Sequence, residues 1–265
     1  QLATSESIIV DRGDGSWARW TKLMEKDIET FSVPATKAAL TAGLGVVVLQ
    51  QITGQPTALY YADTIFESIG MSDAASIYLG LFKLFMTLVT VVTVDKYGRK
   101  TLLQLGCSIM LVALLMISIM YLMEESTGRE YTILVGLLLY VGGYQMGFGP
   151  IAWLFISEIF PLAVRGKAVG LAVVTNFFWN ALVTFFFPSE VLLIGESATF
   201  AIYAIFLVLG MVFIQRFVPE TKGLSLEAIT IQFSNNAAEE ARLNSAPDQA
   251  DSPLLGGGGY GLGLG

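Results

Sequence analysis

Residues 38–62 read AALTAGLGVVVLQQITGQPTALYYA, a run without a charge in which Gln50-Gln51-Ile52-Thr53-Gly54-Gln55-Pro56 interrupts the apolar pattern. About 20 predominantly apolar residues cross the roughly 30 Å of bilayer hydrocarbon as helix. Only helix can do this, because an isolated segment must satisfy its own backbone donors and acceptors. Pro56 lacks a backbone N–H and crowds the preceding turn, so this helix is expected to break. Two adjacent amides at membrane depth are costly unless they face a polar cavity or partner helices.

Outward from that stretch, five further runs of similar character occupy 74–94, 101–123, 133–156, 168–188 and 198–218. The 265-residue chain is 54% hydrophobic and only 14% charged, against about 25% charged in soluble domains. Its mean hydropathy is +0.65. The expected fold class is therefore an all-α membrane protein with six transmembrane helices. Three parts are expected: a polar segment 1–37, a helical bundle 38–222 and a largely disordered tail 223–265. The first carries Trp17, Trp20, Leu23 and Ile28 among charges, the pattern of a short amphipathic surface segment. The last carries Asn235-Asn236, Glu239-Glu240 and GGGGYGLGLG, a composition too poor in apolar side chains to build a core. Gln1 is not an initiator methionine, and the chain reads as cut from something longer.

Lysine and arginine gather in alternate loops. Arg12, Arg19, Lys22, Lys26 and Lys37 precede the first run; Lys96, Arg99 and Lys100 follow the second; Arg165 and Lys167 follow the fourth; Arg216 and Lys222 end the sixth. The intervening loops hold Glu67, Asp73, Glu124, Glu125, Glu130, Glu190 and Glu196, with Arg129 the exception. This bias puts both termini in the cytoplasm.

Several classes of chemistry are disfavoured. Histidine is absent, and Cys107 is the single cysteine. No metal site, resident cofactor or disulfide is expected, and no nucleophile-base pair points to an enzyme. There is no basic cluster for nucleic acid. The partner that the composition does imply is the lipid bilayer.

Polar and broken features inside the runs mark the candidate site, since discontinuous helices near the midplane hold transporter binding sites. Gln50, Gln51 and Gln55 flank the Gly54-x-Pro56 break. The fourth run carries Gly149-Pro150, with a kink expected at Pro150, and Trp153 follows it. Asn176 and Asn180 lie one turn apart; they either hydrogen-bond a polyol or hold two helices together. Lys83 sits roughly 13 Å below the outer end of its helix. A lysine there costs at least about 2.5 kcal/mol on an insertion scale, and no acid lies within the six runs. It requires a water-filled cavity, a carboxylate partner from outside this chain or a lowered pKa, or else it bonds carbonyls at a helix break. On the basic side, Asp95, Arg99, Glu158, Arg165 and Glu220 stand at helix ends. They can pair between helices and lock that side while the other is open.

Taken in order, Gln50-Gln51-x-x-Gly54 with Tyr60-Tyr61, Asp95-Lys-Tyr-Gly98-Arg99-Lys100, Gly149-Pro150-Ile-x-Trp153, Ser157-Glu158-Ile-Phe-Pro161 with Arg165, and Pro219-Glu220-Thr221-Lys222-Gly223 resemble the C-terminal half of the sugar porters of the major facilitator superfamily. The likeness covers about residues 37–230. It is nearest in form to the plant vacuolar glucose and xylose-proton symporter-like branch. The resemblance implies that Gln50 and Gln51 bind sugar hydroxyls, that Trp153 packs on the sugar ring, and that Asn176 is a polar contact. Phe177 stands where the family often has Trp, and Pro56 and Lys83 stand where many members have Asn. It also implies a monosaccharide substrate, alternating access against an N-terminal six-helix half, and coupling to protons, where present, through that half. The competing function is a sugar sensor that signals without transport. The branch suggests a vacuolar membrane, with plasma membrane, plastid envelope and Golgi as rivals. Asp251-Ser-Pro-Leu254-Leu255 has the look of a sorting signal.

Overall fold

The computed structural model describes residues 30–57, 72–162 and 164–245. The amphipathic segment expected around Trp17 to Ile28, the Tyr60-Tyr61 pair and the string at 251–255 lie outside the described residues. Helices follow one another as α1 (Pro34–Ile52), α2 (Ser72–Tyr97), α3 (Arg99–Met120), α4 (Thr127–Met146), α5 (Phe148–Ile159), α6 (Arg165–Phe217) and α7 (Leu226–Ser245).

Five of the helical stretches are long and apolar enough to cross a membrane. They make six passes. The stretch Thr127–Ile159 is one pass, broken at Gly147 into α4 and α5. Helix α6 runs for 53 residues, about 80 Å if straight, far more than about 30 Å of hydrocarbon. Gly195, at φ 81° and ψ 163°, divides it into two arms. The expected runs 168–188 and 198–218 fall on those arms. Glu190 and Glu196, assigned to a loop by the sequence reading, are instead helical. Val191-Leu192-Leu193-Ile194 continues the first arm up to the glycine.

The core lies between α1, α3, α4, α5 and the second arm of α6. It buries Leu103, Met110, Leu114, Phe148, Phe155 and Leu207 completely or nearly so. Helix α2 is peripheral, exposing Ile77, Leu81, Leu84, Phe85, Leu88 and Val92. With lipid as solvent such residues need no cover from the protein.

Within the tail 223–265, expected to be largely disordered, Leu226–Ser245 is instead helix α7. It packs against α1 and α5. Leu226, Ile229 and Phe233 recur at helical spacing, and the last two are 1% and 3% exposed. The Ser225 hydroxyl accepts from the Ala228 N–H at 3.2 Å and caps the start. Three apolar residues in one stripe anchor a helix without raising the average hydrophobicity on which the expectation of disorder rested.

Candidate functional site

Helix α1 ends at Ile52, turns at Thr53 and Gly54, and resumes at Gln55. Gly54 has φ 94°, a conformation side chains disfavour. The turn frees carbonyls, and side chains take them up. Tyr140 Oη donates to the Thr53 carbonyl at 3.0 Å, and Thr57 Oγ1 donates to that of Gly54 at 2.7 Å. Pro56 falls in the first turn after the break, where a missing N–H removes no helical bond. The fourth pass follows the same plan. Its break is at Gly147, with φ −102° and ψ −90°. The kink expected at Pro150 therefore lies three residues earlier. Gly149 and Pro150 form the first turn of α5, where proline is compatible with helix.

The two glutamines before the first break point in different directions. Gln50 is 3% exposed. Its Nε2 donates to Tyr144 Oη at 2.7 Å and to the Phe148 carbonyl at 3.4 Å. Its Oε1 is buried with no donor among the described residues. Gln51 Nε2 donates to Asn176 Oδ1 at 2.7 Å, and Asn180 Nδ2 donates to Gln51 Oε1 at 2.9 Å. These bonds tie α1 to α6. Of the two roles open to the asparagines, helix holding is thus present in the geometry.

Tyr144 connects Gln50 to a second polar feature. Gln55, Lys83, Tyr140, Val141, Tyr144 and Gln145 line a small cavity. Lys83 is half-buried on α2. Gln145 Nε2 donates to Thr87 Oγ1 at 2.7 Å, and Thr90 Oγ1 to the Gln145 carbonyl at 3.0 Å, holding α2 to α4. Tyr140, Tyr144 and Gln145 were missed by sequence reasoning. Their signal is polarity beside the Gly142-Gly143 pair in the same apolar run. Trp153 is half-buried on α5 and packs against the core. Phe177 is apart from these contacts, 67% exposed on α6.

At the far end of the bundle, Arg99 is the hub of a charge cluster. Its Nη2 lies 2.8 Å from Glu158 Oε1, and its Nη1 3.2 Å from Asp95 Oδ1. The Arg99 and Glu158 side chains are only 12% and 20% exposed, whereas Asp95 is 83% exposed. The Asp95 pair therefore contributes about 0–1 kcal/mol, and Glu158 is the substantial partner. Thr221 Oγ1 donates to Glu158 Oε2 at 2.6 Å. Glu220 plays a different part. Its carboxylate accepts from the backbone N–H groups of Arg99 and Lys100 at 2.9 and 3.1 Å, capping the positive end of α3. Gly98, at φ 91°, permits this approach, since a Cβ there would lie 2.6 Å from Glu220 Cδ. Arg165 corrects the expected network. Its Nε and Nη2 donate to the Phe160 carbonyl at 3.1 and 3.0 Å, bracing the turn before α6. No carboxylate among the described residues pairs with it.

A family model described as "Sugar (and other) transporter" matches residues 15–233. D-xylose-proton symporter-like 1 of Arabidopsis thaliana is 47% identical over 206 residues, covering 76% of this chain and 40% of the relative. D-xylose-proton symporter-like 3, chloroplastic, of the same plant is 47% identical over 208 residues, covering 76% and 37%. A solved structure of the proton:xylose symporter XylE bound to 6-bromo-6-deoxy-D-glucose superposes with a TM-score of 0.67 at 28% identity, covering 84% of this chain and 50% of that one. The chain spans about two fifths of the length of these plant relatives.

Proposed function

The chain belongs to the sugar porter family of the major facilitator superfamily, and on that premise we propose that it supplies one wall of a carrier that moves a monosaccharide across a membrane. The observation that carries the reading is Gln50. Its Oε1 is a buried acceptor without a donor among the described residues, beside a helix break, and buried polar atoms are rarely left unpaired. A sugar hydroxyl is a donor of the right size and polarity. Gln50, Gln51, Gln55, Lys83, Trp153, Asn176, Phe177 and Asn180 are the proposed substrate side of the wall. The second wall is an N-terminal six-helix half, against which this one rocks.

The charge cluster around Arg99 lies, in this reading, on the cytoplasmic side with both termini. There Asp95, Glu158 and Glu220 hold α2, α3, α5 and the end of α6 together while the site faces outward. The relatives reported above are named as symporter-like, which supports carriage over sensing. It also supports proton coupling, with protons as co-substrate. The vacuolar membrane is the proposed location, and the word chloroplastic in one relative's name makes the plastid envelope its main rival; a fluorescent fusion separates them.

The deciding experiment is uptake of labelled pentoses and hexoses into liposomes holding the intact protein, with and without an inward proton gradient. Saturable uptake accelerated by the gradient is expected. Sugar binding without flux in either direction would favour the sensor instead.

A further inference from the structure

The cavity on the other side of the α1 break is mostly apolar. It measures about 360 Å³, and its walls include Ile52, Trp179, Val183 and Phe206, with Glu190 and Tyr203 at its polar edge. Glu190 is half-buried, within the first arm of α6. A carboxylate so placed serves packing poorly, since an apolar side chain would fill the space at lower cost. What it does is accept a hydrogen bond from Tyr203 Oη at 2.9 Å, joining the two arms of α6 across Gly195.

Tyr203 in turn lies on the break. A Cβ on Gly54 would sit 2.6 Å from Tyr203 Cδ2, so the ring rests directly on the glycine. On the other side Tyr140 holds the Thr53 carbonyl. The turn at Thr53-Gly54 is thus gripped between two tyrosines, one anchored by its bond to the backbone and the other by Glu190. The turn sets the relation of Gln55 to Gln50 and Gln51.

We propose that Glu190 is a positioning residue for the sugar site, acting through the Tyr203 hydroxyl to fix the Gly54 turn and hence the placement of Gln55 against Gln50 and Gln51. The inference rests on reading those amides as sugar ligands. It assigns a role to a carboxylate that stands outside the motifs quoted above for the family resemblance.

The test uses Tyr203→Phe, Glu190→Leu, Glu190→Gln and the double variant Glu190→Leu/Tyr203→Phe in the intact protein. Two quantities are read: the KM of sugar flux against its maximal rate, and the rate at which a thiol reagent labels Gln55→Cys without sugar. Cys107, the single cysteine of this chain, is buried, and the same labelling of the protein with Gln55 retained gives the background. Losing a hydrogen bond to a charged group is worth roughly ten-fold or more. Tyr203→Phe and Glu190→Leu are each expected to raise KM about ten-fold, with a smaller change in maximal rate. Glu190→Gln, which keeps an acceptor, recovers most of the affinity. The double variant is no worse than Tyr203→Phe alone, because Glu190→Leu has no bond left to remove once the hydroxyl is gone. Labelling at position 55 changes several-fold in Tyr203→Phe. A packing role alone leaves Tyr203→Phe silent in both readouts, since the ring remains, and that result overturns the proposal. If Gln50→Ala leaves KM unchanged, the sugar-ligand reading fails. The labelling rate then decides by itself whether the bond holds the turn.

Discussion

Gly54 and Gly98 show how single residues set this structure. Each has positive φ, and each receives a side chain from a distant element: Tyr203 on Gly54, and Glu220 on Gly98. Gly54→Ala imposes a strained backbone, about 1–3 kcal/mol, and pushes the Tyr203 ring away. Sugar affinity is expected to fall at least ten-fold, measured as KM for uptake; an unchanged KM would show that the turn does not organise the site. Lys83 borders the cavity shared by Gln55 and Tyr144. Lys83→Gln is expected to alter the pH profile of transport, and full activity with the wild-type profile contradicts a coupling role for it. At this scale the sequence was informative about residue type and weak about partnership. The positive φ at Gly98 follows from its tight turn. Its neighbour Glu220 does not, because 121 residues separate that carboxylate from the Arg99 N–H it caps. Arg165 stands outside the network for a local reason instead: its guanidinium bonds the Phe160 carbonyl five residues back.

At the level of elements, hydrophobic runs were legible because a bilayer demands length and apolarity together. Their breaks were legible to within three residues, since proline marks the start of the new helix and glycine the end of the old one. What composition hid was α7, whose contact with the bundle depends on Ile229 and Phe233. Ile229→Ala with Phe233→Ala removes about 2–5 kcal/mol of packing at each site. Amide hydrogens of 226–245 are then expected to exchange far faster, while those of α3 and α5 hold their protection. Unchanged exchange in α7 would mean that it does not rely on this contact. Gly195 falls in the gap between the runs 168–188 and 198–218, so a break there was legible; that Ser189 to Ile194 stay helical up to the glycine was not.

Across the whole molecule, the amide patch and the charge cluster occupy different levels of one bundle, joined by α5. Phe148 at its start accepts from Gln50, and Glu158 near its end pairs with Arg99. A movement of α5 is therefore felt at both. Glu158→Lys removes one partner of a mostly buried pair, worth about 3–5 kcal/mol, and sets two cations side by side. Spin-label distances across the end of the bundle that holds Arg99 are expected to shift toward the population open at that end. The same distances as wild type would remove the cluster from the gating account. The exposed apolar faces of α2 and of the first α6 arm, including Phe177 and Phe178, are where lipid and the second half of the carrier are proposed to lie.

If the buried amide of Gln50 binds sugar hydroxyls, equilibrium binding of a labelled monosaccharide to the intact protein depends on it. Gln50→Ala is expected to weaken binding at least ten-fold, the loss of one or two hydrogen bonds in a buried site, while the helical content stays the same. Binding of wild-type strength in Gln50→Ala, with the fold intact, would contradict the account.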